Sequence, residues 1–236
     1  MPSALQPADG MANRYFVEAL PAVGRHELPE DVAHHLARVL RCRPGDPVRL
    51  GDGAGGTADA VVATADKRGV AVDVQACRRE PAPPVALTLA FALPRLQRTE
   101  WLLEHGTELG VAAFQPIWTA RTRPGNERPE RWQRIVNAAA GQCDRAWLPL
   151  VQPACELADL LARTDSGTRL LASPAGAPSR PLDAGRATLL VGPEGGFSDD
   201  ELAAIAAAGY AGVRFGGHIL RTETAAMVGA ALLLAR

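Results

Sequence analysis

The feature that most constrains this chain is a change of pattern at Pro81-Ala82-Pro83-Pro84. Such a run makes a stiff, extended spacer. Upstream of it, Val48–Leu50, Thr57–Thr64 and Val70–Cys77 read as strands, separated by Gly-Asp-Gly-Ala-Gly-Gly (51–56) and Asp66–Gly69 as turns. One helix precedes them. Leu28-Pro29-Glu30-Asp31 suits a helix start, and Val32, Leu36, Val39 and Leu40 then fall on one apolar face, ending near Arg41. This predicts a small β-rich domain over residues 1–80, most simply a barrel. Downstream the chain alternates. Strands are expected at Val85–Leu93, Phe114–Trp118, Arg169–Ala172, Thr188–Val191 and Val213–Phe215. Helices are expected at Arg98–Leu109, Pro129–Cys143, Leu157–Arg163, Asp199–Ala208 and Thr224–Ala235. Alternation of this kind predicts a parallel sheet covered on both faces over residues 85–236, so the fold class is α/β.

A chain of 236 residues with 47% hydrophobic and 22% charged residues is ordinary for a globular protein. Its longest apolar run, Ala225–Ala235, is interrupted by Gly229 and is about half the ~18–20 residues that a bilayer requires. No membrane association is expected. The opening residues lack a signal-peptide pattern, and Met11 is an alternative start. Cys42, Cys77, Cys143 and Cys155 form no CxxC pair, so they read as reduced thiols in a cytoplasm. The histidines show no ligand spacing, so no metal is expected. Net charge is −1, yet Arg38, Arg41, Arg43 and Arg49 face only Asp46 between His34 and Leu50. Lys67 is the sole lysine, which leaves positive charge almost entirely to guanidinium groups, shaped for phosphate. A GC-rich coding bias explains the same excess without any function.

Two segments stand where strands end and helices begin. Val191-Gly192-Pro193-Glu194-Gly195-Gly196-Phe197 is followed by Ser198-Asp199-Asp200-Glu201, a capping box. Ligands of open α/β sheets bind beyond the carboxyl ends of strands, and glycines allow close backbone approach. A plain tight turn is the alternative. The loop is neither a P-loop nor a dinucleotide fingerprint. The second segment, Phe215-Gly216-Gly217-His218-Ile219-Leu220-Arg221-Thr222-Glu223-Thr224-Ala225, places Arg221 and Glu223 at a helix start. Its bland reading is a solvated arginine and an acid that complements the helix dipole.

Taken in order, GPEGGFSxxE and GxxILRTETA resemble the 16S ribosomal RNA uridine N3-methyltransferases of the SPOUT class. The resemblance runs from Arg14-Tyr15-Phe16-Val17 through His34–Arg41, Pro44-Gly45-Asp46 and Asp52-Gly53 to Ala92-Leu93-Pro94, Thr107–Val111 and Gln142–Arg145. It departs at Gly217-His218, where the family has Pro-Arg, at Ala138 and Gly141, where acids are common, and at His105, where lysine is usual. The resemblance implies a PUA-like N-terminal domain and a catalytic domain tied as a deep trefoil knot. It implies S-adenosylmethionine held by Gly192, Pro193, Glu194, Gly195, Gly196, Phe215, Gly216, Ile219, Leu220, Thr222 and Ala225. The reaction would be methylation of N3 of a uridine, number 1498 of the RNA, in 16S RNA or the small subunit. Glu223 or Glu194 would remove the N3 proton, and Arg221 would stabilise charge on the uracil oxygens. Arg14, Arg38, Arg41, Arg43, Arg121 and Arg145 are the candidates for RNA phosphates. The final helix, apolar nearly all round, points with the family to a homodimer.

Three other readings compete. A small-molecule α/β enzyme leaves the basic N-terminal part without a task. A non-catalytic RNA-binding protein leaves the glycine loops without one. A SPOUT enzyme acting on a ribose 2′-hydroxyl would carry a Ser-Leu-Asn-type motif where this chain reads Ile219-Leu220-Arg221-Thr222-Glu223.

Overall fold

The computed structural model describes residues 13–235 except 68, 94, 95, 123, 124, 126 and 165. The alternative start at Met11 and Pro94 of the family motif therefore lie outside the described residues, as does the side chain of Val39. The chain forms two compact units, residues 1–82 with 140–148, and residues 83–139 with 149–236.

The first unit is a mixed five-stranded sheet. Long β4 (Gly56–Asp66) and β5 (Gly69–Arg79) form its antiparallel centre, joined by a turn in which Gly69 has φ +150°. β3 (Pro47–Gly51) pairs with β4, and β1 (Arg14–Phe16) runs parallel to β3 at one edge. β2 (Gly24–Glu27) closes the other edge against β5. Alternate residues Val48, Leu50, Ala58, Ala60, Val62, Val70, Val72 and Val74 form the core, which Val32, Ala33 and Leu36 cover from the helix. That helix differs from the expected one. It is α-helical over α1 (Glu30–His34) and then widens to a π-turn over His35–Val39, with Leu40 N donating to His35 O at 3.2 Å. The extra residue rotates the end of the helix about its axis, so Leu40 leaves the apolar face and is exposed. Arg41, at φ +55°, ends the helix. Residues 140–148, read from the sequence as part of the second half, complete this unit. Trp147 bridges Ala54 in antiparallel fashion, and its indole N–H donates to the carbonyls of Glu80 and Pro81.

The second unit holds a parallel sheet of β12 (Ala211–Arg214), β10 (Thr168–Pro178), β11 (Gly185–Val191), β6 (Val85–Ala92), β7 (Ala113–Trp118) and β8 (Leu150–Val151), in that order. β9 (Cys155–Glu156) also pairs with β7. β6 shows why it lies at the centre. Val85, Leu87, Leu89 and Phe91 are buried on one face, with α2 (Leu96–Glu108), α3 (Pro129–Gln142) and α6 (Thr222–Leu234) supplying Leu102, Leu103, Trp132, Val136, Met227 and Leu233. Ala90 and Ala92 are buried on the other, with α4 (Leu157–Leu161) and α5 (Asp199–Ala207) supplying Leu157, Leu160 and Ile205. A strand buried on both faces has few polar positions to spare, hence a run apolar but for Thr88. Among the described residues no helix is long and apolar enough to cross a membrane. β8 and β9 are two residues each and escape detection from sequence for that reason.

Candidate functional site

A cavity of about 350 Å³ opens beyond the carboxyl ends of β11 and β12. Its walls include Gly192, Pro193, Glu194 and Gly196 of the first glycine loop and Phe215, Gly216, Ile219, Leu220, Thr222 and Ala225 of the second segment. Gly195, Arg221 and Glu223 are not among its lining residues. Sequence reasoning missed the third wall, Leu171-Ala172-Ser173-Pro174, and also Phe197, Leu202, Val213, Arg214 and His218. The third wall exists because β10 slips against β12. Both Ala172 and Ala177 pair with Val213, so the residues between them bulge out of the ladder. Gly176 makes the bulge possible, since a Cβ there would lie 2.4 Å from the Gly212 carbonyl carbon.

The first loop is a tight turn, with Gly196 N donating to Pro193 O at 2.8 Å and Gly196 at φ +73°. Gly192 is needed for a different reason, because a Cβ would lie 2.7 Å from the Phe197 ring. Gly195 has no such demand: its nearest neighbour is the flexible Arg121 side chain at 3.2 Å. Ser198 and Glu201 form the expected capping box, Ser198 Oγ accepting from Glu201 N and Glu201 Oε2 accepting from Ser198 N. The other Glu201 oxygen accepts from Ala120 N at 2.7 Å, which ties the helix start to the segment after β7. Next to it Arg121 Nη1 donates to Gly196 O at 3.5 Å. Buried Thr222, at the start of α6, donates from Oγ1 to Gly192 O at 2.9 Å, so the two cavity-lining segments are tied directly.

Charge is concentrated beside this tie. Glu223 follows Thr222 in the first turn of α6, with its side chain only 14% exposed. Its Oε2 is buried and has no hydrogen-bond partner among the described residues. Arg98, in the first turn of α2, places Nε 3.7 Å from Glu223 Oε1, while its Nη1 donates to Glu194 Oε1. Nothing in the sequence signals Arg98, the single arginine of an amphipathic helix in an arginine-rich chain. Arg221 occupies the N-cap position of α6, and it is exposed.

The arginines singled out for RNA divide into two groups. Arg38, Arg41 and Arg43 are exposed on the first unit, and Arg121 is exposed on the second. Arg14 is not available. Its side chain is 2% exposed, with Nε and Nη2 donating to Asp144 at 3.1 and 3.0 Å and Nη2 to Glu80 at 3.1 Å. A guanidinium out of water needs acids, and Asp144, shared with Arg49, provides one. Arg145 is half-buried, and desolvation pulls it below the ordinary arginine pKa. Arg14 therefore belongs to the interior of the first unit.

Known proteins match both parts of the chain. An RNA methyltransferase domain family matches residues 81–234, and an RNA methyltransferase PUA domain family matches residues 28–75. The ribosomal RNA small subunit methyltransferase E of Mycobacterium bovis is 37% identical over 237 residues, covering 92% of this chain and 89% of that protein. The crystal structure of a ribosomal RNA small subunit methyltransferase E from Neisseria gonorrhoeae, bound to S-adenosyl methionine, superposes with a TM-score of 0.86 at 30% identity, covering 93% of this chain and 95% of that one. A Legionella pneumophila protein solved in complex with bound cofactor SAM gives a TM-score of 0.87 at 26% identity, covering 95% of this chain and 97% of that one. A PUA-like first domain, a parallel α/β second domain and sequence identity across both leave one conclusion: the chain belongs to the ribosomal RNA small subunit methyltransferase E family of RNA methyltransferases.

Proposed function

We propose that this protein transfers the methyl group of S-adenosylmethionine to N3 of a uridine in the 16S RNA, at the position numbered 1498 in the family. The observation that carries the reading is the cavity bounded by both glycine segments, with a buried acid beside the Thr222–Gly192 tie. Its volume of about 350 Å³ is in the range of small-molecule sites, roughly 300–1,000 Å³. Apolar Leu171, Phe215, Ile219 and Leu220 suit the flat faces of an adenine, and the backbone of Gly192–Gly196 suits its polar groups. When bound, the cofactor supplies an electrophilic sulfonium methyl.

The chain's own residues must do the rest. Uracil N3 keeps its proton at neutral pH, so a carboxylate has to take it. Glu223 Oε2, with no partner among the described residues, is the acceptor. Charge left on the uracil oxygens is stabilised by Arg221. Arg38, Arg41 and Arg43 hold RNA phosphates without reading sequence. The exposed Leu232 of α6 and Trp101 of α2 support a homodimer, and the protein acts in the cytoplasm. The deciding experiment incubates the protein with S-adenosylmethionine and small subunits from a strain lacking the gene, followed by nucleoside mass spectrometry. 3-Methyluridine is expected. A 2′-O-methylated nucleoside, or no methylated product, refutes the assignment.

A further inference from the structure

Glu223 and Glu194 share one cation. Arg98 reaches them from a different helix, Nη1 donating to Glu194 Oε1 and Nε standing 3.7 Å from Glu223 Oε1. The two oxygens of Glu223 therefore differ. Oε1 faces Arg98, and Oε2 is buried with no partner among the described residues. An unpaired buried acceptor is costly unless something else meets it in use, and this one lies beside the segment that lines the cavity. Among the described residues, the other charged groups on the surrounding elements are paired with one another, exposed or at the far strand ends. On α2, Glu100 pairs with Arg131, His105 pairs with Glu108, and Glu104 is exposed. β6 carries no titratable side chain, and Arg186 of β11 and Arg169 of β10 stand at the opposite strand ends. His218 and Arg221, in the segment before α6, are both exposed.

We propose that Arg98 is a positioning residue of the methyl transfer: it engages one oxygen of Glu223 and Glu194 together, and so leaves the other Glu223 oxygen unpaired to receive the uracil N3 proton. This role rests on the assignment of the reaction as uridine N3-methylation. In the step it serves, the N3–H bond breaks, Oε2 takes the proton and the electron pair stays on the ring. The ring then forms the N3–methyl bond, and the methyl–sulfur pair leaves with sulfur as a neutral thioether. The guanidinium fork suits two carboxylates at once, which a point charge does less well.

The test is single-turnover methylation at saturating S-adenosylmethionine, with cofactor affinity measured in parallel, for folded R98Q, R98K, E194Q and E223Q. R98Q should lose about tenfold in rate, part of the roughly 10²–10⁴ that a positioned base contributes. Cofactor affinity should fall less than the rate. R98K should recover most of the rate, E194Q should lose less than R98Q and E223Q should abolish the reaction. An R98Q rate at the wild-type level, a loss confined to cofactor affinity, no recovery in R98K, or abolition by E194Q instead of E223Q would overturn the proposal. Absence of 3-methyluridine with the wild-type protein would sink the underlying reaction assignment instead, so the two failures are distinguishable.

Discussion

Thr222→Val isolates the tie between the two cavity segments. Valine keeps the shape and β-branching of threonine and replaces the hydroxyl by a methyl. That hydroxyl donates to Gly192 O at 2.9 Å from a residue 4% exposed, so the carbonyl of half-buried Gly192 loses this donor. An acceptor left unsatisfied costs about 1–3 kcal/mol. The extra methyl returns up to ~0.8 kcal/mol by burial, giving a net loss of about 1–2 kcal/mol. For a chain of this length that lowers the melting temperature by roughly 2–8 °C, at about 2–4 °C per kcal/mol. Function should suffer separately. If binding of S-adenosylmethionine needs both segments held together, a further loss of about 1.4 kcal/mol on binding weakens affinity tenfold. Scanning calorimetry and titration calorimetry measure the two effects on the same sample. A melting temperature within about 1 °C of wild type and an unchanged dissociation constant would refute both the hydrogen bond's contribution and the tie's role.

Other substitutions probe the charged groups. Arg221→Ala should slow methylation by about 10²–10³ with little change in cofactor affinity, read in single-turnover assays, since its role is charge stabilisation on the uracil. Arg14→Met should destabilise the protein by about 2–3 kcal/mol in chemical denaturation, below the 3–5 kcal/mol of a fully buried pair because Glu80 and Asp144 remain 48% and 44% exposed. It should leave the salt dependence of RNA binding unchanged, and a changed slope would return Arg14 to the RNA surface. Replacing Arg38, Arg41 and Arg43 together by glutamine should reduce that salt slope by about 2, near 0.7 for each phosphate no longer neutralised, with S-adenosylmethionine affinity unaffected.

What the sequence determined is what neighbouring residues decide among themselves. The period-2 and period-3.6 patterns mark the central strands and the long helices, because burial on one face or both imposes those repeats directly. Ser198 and Glu201 announce their capping box because its hydrogen bonds span three residues. The glycine segments are legible as strand-end loops for the same local reason. The short edge strand Gly24–Glu27, with little buried surface, carries no such pattern and is invisible in the sequence. Tertiary structure alone decided the rest. It sent residues 140–148 back to the first unit, and it buried Arg14 against acids far along the chain, so an arginine that reads as a phosphate ligand became an internal ion pair. It also bulged β10 to form the third cavity wall and brought Arg98 from α2 to Glu194 and Glu223. Ion pairs and cavity walls join residues that the chain keeps far apart. Their energy depends on distance and burial in space, quantities that no local repeat encodes.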